Sequence, residues 1–227
     1  MQVVYQLFRE LFRLPCACLL ILQVLILLLS VLTSDALSYR AITWILGALV
    51  LLVIAKVIKM TAIFSAIGLI SVVGALLFSF LILIGFHDPT IQMLAHAFEA
   101  IAYMSAAYGL VKYMFADRYL TKDELFAAAA VFTLIAWSFT FLYSISQLYD
   151  INSFSKSGVV GTQSWLDLLF LSFSLQSATG LSDVLPVGSL ARLIAIIQMF
   201  CGVMYFALIV SRLIALQYIA HAPHSKD

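Results

Sequence analysis

Residues 164–192 read SWLDLLFLSFSLQSATGLSDVLPVGSLAR, and the layout of this stretch decides how the rest of the chain is read. The apolar run from Ser164 to Ser177 is a short helix at most, well below the roughly 20 residues that cross a hydrocarbon layer of about 30 Å. Asp167 falls in its first turn, where a carboxylate suits the positive end of the helix dipole. A tight polar stretch follows, Thr179-Gly180-Leu181-Ser182-Asp183, then Val184-Leu185-Pro186, and Arg192 opens a much longer apolar run. A short apolar helix of this kind enters a membrane and returns on the same side. Its backbone is tolerated there only where protein or water surrounds it.

The composition supports a membrane setting. Of 227 residues 64% are hydrophobic, 13% aromatic and only 10% charged, and mean hydropathy is +1.12. A soluble domain is nearer half apolar and a quarter charged, so a soluble enzyme or nucleic-acid binder is excluded. Long apolar runs extend from Pro15 to Thr33, Ala41 to Ile58, Thr61 to Phe86, Ile91 to Ala116, Leu125 to Leu148 and Leu190 to Tyr218. One helix from Ala41 to Phe86 would be roughly 69 Å long. Lys56 and Lys59 belong at an interface, so the break is predicted near Lys56 to Met60. With six spans, Arg9, Arg13, Lys56, Lys59, Lys112, Arg118, Lys122, Arg212 and Lys226 share one side, against Arg40, Lys156 and Arg192 on the other. That bias predicts cytoplasmic termini.

The balance of twelve basic against eleven acidic residues identifies no partner. Cys16, Cys18 and Cys201 all lie inside apolar runs, which argues against a disulfide framework, and a Cys-x-Cys pair alone is a poor metal site. Residues 1–14 read as an amphipathic cytoplasmic lead-in with Arg9 and Arg13 on one face, rather than as a signal peptide. No catalytic triad or zinc motif is present, and Ser177 has no histidine nearby in sequence, so no enzyme and no cofactor are predicted.

The negative end of a half-buried helix faces whatever lies beyond it, and irregular backbone after it can offer carbonyls to an ion. At these residues the chain resembles the pore-loop cation channel superfamily, specifically small bacterial six-span members of the potassium channel family. Asp167-Leu168-Leu169, Ser172-Phe173, Gly180, Asp183, Pro186-Val187 and Leu190-Ala191-Arg192 fit the family's pore segment without a gap. Gly202, Tyr205, Ala207, Leu208-Ile209-Val210 and Arg212-Leu213 follow its last helix. Ala136-Trp137, Leu142-Tyr143 and Ser153-Phe154 are similar to the preceding helix and loop. The resemblance covers roughly Thr121 to Leu216 and is only topological over the first four spans. It implies a homotetramer in a bacterial inner membrane, passing monovalent cations through the lipid bilayer, with no nucleic-acid partner.

The filter departs from the family. Where potassium filters read T-V-G-Y-G or T-L-G-Y-G, this chain has Ala178, Thr179, Gly180, Leu181 and Ser182. Filter glycines supply backbone conformations that other residues resist. With Ser182 in place of the second glycine, that geometry is either strained or abandoned. Ala178 lacks the hydroxyl that closes the innermost site, and Leu181 lacks the bracing phenol, so potassium selectivity is not expected. Four copies of Asp183 would form an acidic ring that draws cations. Asp183 could instead brace the turn, with Arg192 near enough in sequence to pair with it. In the last helix Gly202 is either a hinge or a close-packing position. Met204 and Leu208, with Ile197 and Phe200, form either an apolar inner constriction or a packing face.

A voltage sensor needs a basic residue at about every third position of its fourth helix; here that span holds only Lys112, near its end. The short link from Asp117 to Glu124 predicts that each bundle packs beside its own pore helices. His96 and Glu99, at i and i+3 in a membrane helix, are a candidate pH-sensing pair or a packing pair, with Tyr103 as a further partner.

The prediction is an all-α integral membrane protein of six transmembrane helices, with a re-entrant pore helix and loop between the fifth and sixth. It divides into a lead-in at 1–14, an accessory bundle at 15–116, a pore domain at 125–218 with its loop at 163–186, and a tail at 219–227. The predicted function is a tetrameric, weakly selective cation pore without strong voltage gating. The alternatives are a non-conducting or differently selective derivative and, further off, a secondary transporter.

Overall fold

A computed structural model of the protein describes residues 15–32, 47, 49–53, 65–86, 88–115 and 122–221. The lead-in at 1–14, the break near Lys56 to Met60, most of the second apolar run, the link at 116–121 and the tail beyond 221 lie outside the described residues. The long helices are α1 (Pro15–Leu32), α2 (Ser65–Ile84), α3 (Pro89–Met114), α4 (Lys122–Tyr149) and α6 (Ser189–His221). Between the last two lie β1 (Phe154–Lys156), β2 (Val159–Val160), the short α5 (Trp165–Gln176) and β3 (Val184–Pro186).

Local chemistry fixes several of these ends. Gly85, at φ +118, stops α2. Its amide donates to the Ile82 carbonyl and that of Phe86 to Leu81, the paired bonds of a glycine C-cap. Three residues on, Asp88 caps α3: its carboxylate accepts from the Thr90 amide at 2.8 Å, with Pro89 at the first helical position.

By length and apolarity, Ala66–Ile84, Leu125–Tyr149 and Ser189–Arg212 can cross a membrane. Cys16–Leu28 and Trp165–Gln176 are apolar but shorter. The fourth predicted span, α3, is long enough but falls outside that set: Gln92, His96, Glu99, Tyr103, Tyr108 and Tyr113 dilute its apolarity.

The core has two parts. In the larger, α1, α3 and α4 meet through Leu19, Ala102, Ala106, Ala127, Ala130 and Leu134, all with negligible exposure. Alanines let these backbones approach closely, which is how helices gain contact where lipid offers no hydrophobic contrast. Across that approach the Ser138 hydroxyl donates to the Ala100 carbonyl at 2.6 Å, and Tyr103 stacks on Trp137. Thus α3 lies along the α4 of its own chain. The smaller part joins Phe139, Tyr143, Phe154, Leu168, Leu171, Val184, Ala191 and Ala195 around α5.

The all-α prediction is incomplete. β1 is the centre of a three-stranded antiparallel sheet in the order β2-β1-β3. Ser155 faces Val160 on one side and Leu185 on the other. Ser157 and Gly158, at φ +51 and +84, form the two-residue turn between β1 and β2, and positive φ at both positions is what a tight hairpin needs. The sheet clamps the entry to α5 against the entry to α6.

Candidate functional site

α5 is wedged between α4 and α6, and a buried polar network fixes it there. Its inward stripe holds Leu168, Ser172 and Gln176, four residues apart, all fully buried. The Ser172 hydroxyl donates to the Ala136 carbonyl of α4 at 2.6 Å, and the Gln176 amide to the Phe132 carbonyl at 2.7 Å. From α6, the Gln198 amide donates to the Ser172 hydroxyl at 2.6 Å and to its carbonyl at 3.0 Å. The Gln198 oxygen accepts from the Tyr143 hydroxyl at 2.7 Å. Three helices are thereby held in register by groups that would be costly to bury unpaired.

On α6 the residues facing its own chain are Ala191, Ala195, Gln198, Gly202, Tyr205 and Ile209, an alternation of fours and threes. At Gly202 a Cβ would run into the Gln176 carbonyl and stand 3.0 Å from Gln176 Cα. Close approach beneath the end of α5 therefore requires glycine there. The Tyr205 hydroxyl donates to the Ala128 carbonyl. Ile197, Phe200, Met204 and Leu208 turn away from this face and are 47%, 67%, 43% and 48% exposed.

The loop after α5 does not run out as an extended ladder. The Ala178 amide donates to Leu175, and the Thr179 and Gly180 amides both donate to Ser174. Ala178 has φ +56 and Gly180 φ +65. This is the same C-cap that Gly85 makes on α2, with alanine in the left-handed position. The last carbonyls of α5 are consequently covered by the chain that follows. Ser182 is not the left-handed residue. Its amide donates to the Ser174 hydroxyl at 3.1 Å, and its own hydroxyl accepts from the Val184 amide at 3.1 Å. The backbone cost of the turn falls on Ala178, an L-residue at positive φ. Ala178, Thr179, Gly180 and Leu181 are exposed, Leu181 at 73%.

At the start of α5 the Ser164 hydroxyl accepts from the Asp167 amide at 3.1 Å and donates to Asp167 Oδ2 at 2.9 Å. Lys156 Nζ of β1 donates to Asp167 Oδ1 at 2.7 Å. Partial burial alone would raise the Asp167 carboxyl, but the bonds from Lys156 and Ser164 outweigh it and hold it below the ordinary aspartate value. The same bond to Asp167 raises Lys156 against the opposing effect of desolvation. Lys156 also stands 3.8 Å from Asp183 Oδ2. The Asp183–Arg192 pairing suggested by sequence does not form. Arg192 Nε donates to the Pro186 carbonyl at 3.1 Å, and the cation beside Asp183 is Lys156, brought over by the sheet.

In the bundle His96 Nδ1 lies 2.9 Å from Glu99 Oε2. The Ser79 hydroxyl of α2 donates to the other carboxylate oxygen at 3.1 Å, and His96 stacks on Phe141 of α4. Tyr103 is instead taken up by Trp137 and Phe141. At the opposite end from Lys156, the Arg212 guanidinium donates to the Met114 carbonyl at 3.0 Å and lies over the Phe115 ring.

Residues 127–217 match a family model described as an ion channel. The match spans most of α4, the sheet, α5, the loop and most of α6, and leaves the His96–Glu99 pair of the bundle outside it. No curated protein and no solved structure matches the chain.

Five participants in this site escaped the sequence reading: Lys156 as a partner of the acids, Ser174, Gln176, Tyr143 as a hydrogen-bond donor, and Gln198. A glutamine in the middle of a 33-residue apolar helix was the available signal for the last, since a polar group there needs a partner. Lys156 could be found only through the hairpin, whose Ser-Gly turn between a serine-phenylalanine run and two valines was legible.

Proposed function

We propose that the chain is one subunit of a tetrameric pore-loop ion channel, passing cations with weak selectivity and without strong voltage gating. The observation that carries this reading is a short helix held between two membrane-length helices, within the segment that the ion-channel family model matches. A single subunit cannot enclose an axis, so the reading requires several copies. The exposed apolar residues of α5 and α6, among them Phe170, Ile196 and Phe200, offer the surface for their contact. The low charge of α3 supports voltage independence, Lys112 being the basic residue of its last turn.

In this proposal Ala178 to Asp183 line the outer ion path, Met204 and Leu208 form the inner constriction, and Gly202 is the point about which α6 pivots under α5. His96 and Glu99 form the protonation-sensitive pair of the bundle. The chain spans a bacterial inner membrane six times with both termini cytoplasmic. The bundle at 15–116 packs around a pore domain at 125–218, between a lead-in and a tail.

A second reading, a differently selective or non-conducting derivative, is favoured by one observation. Thr179 and Gly180 turn their amides back onto Ser174, so the backbone there differs from a row of carbonyls facing an axis. Reconstitution into liposomes separates the two readings. Flux under potassium and sodium gradients, absent under a chloride gradient, supports the weakly selective pore, and Asp183→Asn lowers its cation preference. Silence under all three gradients favours the second reading.

A further inference from the structure

Two carboxylates and one ammonium meet where the sheet joins α5. Asp167 has both oxygens engaged, Oδ1 by Lys156 at 2.7 Å and Oδ2 by Ser164 at 2.9 Å. Asp183 has its Oδ2 at 3.8 Å from the same ammonium, beyond hydrogen-bond length. Lys156 is thus anchored on one acid and acts on the other through space. Its placement is built: β1 pairs with β3 in a register that sets Lys156 opposite Val184, the residue after Asp183. The side chains of Lys156 and Asp183 are 41% and 51% exposed, so both contribute to the field outside the loop. The nearest basic residue in sequence to Asp183, Arg192, is bound to the Pro186 carbonyl.

We infer that Lys156, held in place by Asp167, sets how strongly the outer end of the loop attracts cations, by partly cancelling the charge of Asp183. The inference rests on the channel reading for its consequence to conduction. The three formal charges sum to one negative per subunit. Removing Lys156 makes that two, so an assembly of several copies would gain one negative charge per copy around a common opening. Asp183 is then only part of the determinant, and the lysine on the neighbouring strand is the part that limits it.

A charged-reagent assay tests the field without requiring current. Leu185 of β3 lies opposite Ser155, is 61% exposed and sits two residues from Asp183. In Leu185→Cys, the modification rates by a cationic and an anionic methanethiosulfonate are compared, with the chain lacking this thiol as background for Cys16, Cys18 and Cys201. Adding Lys156→Gln should raise the cation-to-anion rate ratio several-fold, because the loss of one nearby unit charge acts with opposite sign on the two reagents. Lys156→Arg should keep the original ratio, and Lys112→Gln at the other end of the molecule should leave it unmoved. High salt should shrink the Lys156→Gln effect.

A ratio unchanged by Lys156→Gln would overturn the inference, as would a thiol at 185 that a neutral reagent cannot reach. In liposomes Lys156→Gln should also raise cation over anion permeability. If the thiol ratio moves and permeability does not, the cluster lies off the ion path and the inference fails. If no chain conducts while the ratio moves as expected, the channel reading fails and the electrostatic role of Lys156 stands.

Discussion

Ala178 carries the clearest cost of any single residue in the loop. An L-residue in the left-handed region is disfavoured by about 1–2 kcal/mol, and glycine escapes this while losing more freedom on folding. Ala178→Gly should therefore stabilise the protein by about 0.5–1 kcal/mol, read as a higher midpoint in thermal unfolding of the detergent-solubilised protein. Ala178→Thr, the residue that potassium filters carry at the place this stretch resembles, should destabilise it, because β-branching resists that conformation further; a neutral result for both would remove the cap from the argument. Asp167 gives a pH signature of defined sign. Its carboxyl is held below the ordinary 3.8, so its contribution is present above that value and is lost as pH falls through the lowered one. Lys156 is raised above 10.5, so its side of the pair is intact below 10.5 and fails only as pH rises past the raised value. The stability difference between the wild type and Asp167→Asn should be flat across neutral pH, begin to shrink as pH falls towards 3.8 and vanish only below the lowered value. At this scale the sequence was informative where a residue acts on its own helix. Asp167 in a first turn needs no tertiary knowledge, whereas the pairing of Asp183 with Lys156 depends on strand register, and sequence proximity pointed to Arg192 instead.

At the level of elements, length and apolarity carried most of the information. The predicted run from Ser164 to Ser177 became α5 with its caps on those two serines. The run from Ile91 to Ala116 became α3 within two residues at each end, its start fixed locally by the Asp88-Pro89 cap. The sheet was missed because its strands are two or three residues long, too short for alternation to register against a background of apolar helices. What locks the elements together was equally hidden, since it consists of single polar residues meeting across three helices. Removing the Tyr143 hydroxyl leaves the Gln198 oxygen without its donor in a fully buried place. Tyr143→Phe should cost about 1–3 kcal/mol and loosen the end of α5. Faster amide exchange at Thr179 and Gly180, whose donors close that end, would report the coupling. If their protection is unchanged while stability falls, the network supports the fold without holding the loop.

For the proposed channel as a whole, the question is which exposed apolar surface would meet lipid and which an ion path, and a side chain's chemistry can separate them. Leu77 of α2 is 56% exposed and Met204 of α6 is 43% exposed, so exposure alone treats them alike. Sequence could not sort them either, because lipid-facing and pore-facing residues are both apolar and only assembly distinguishes them. Their surroundings in an assembly would differ. α2 packs inward through its other side, where Val72 and Ala75 are buried, leaving Leu77 open. Met204 lies one helical turn below Phe200 and one above Leu208, on a side of α6 that its own chain leaves open. Several copies around an axis would make this a ring of thioethers narrow enough to exclude water when closed. A polar amide at Leu77 must then be buried in lipid and should lower the yield of folded protein without altering flux. The same amide at Met204 would wet the constriction. Met204→Asn should leave assembly intact by native mass spectrometry and raise basal cation flux in liposomes, while Leu77→Asn should not. If Met204→Asn instead behaves as Leu77→Asn does, losing yield with flux unmoved, that side of α6 faces lipid, and the inner constriction must be sought on another face of the helix.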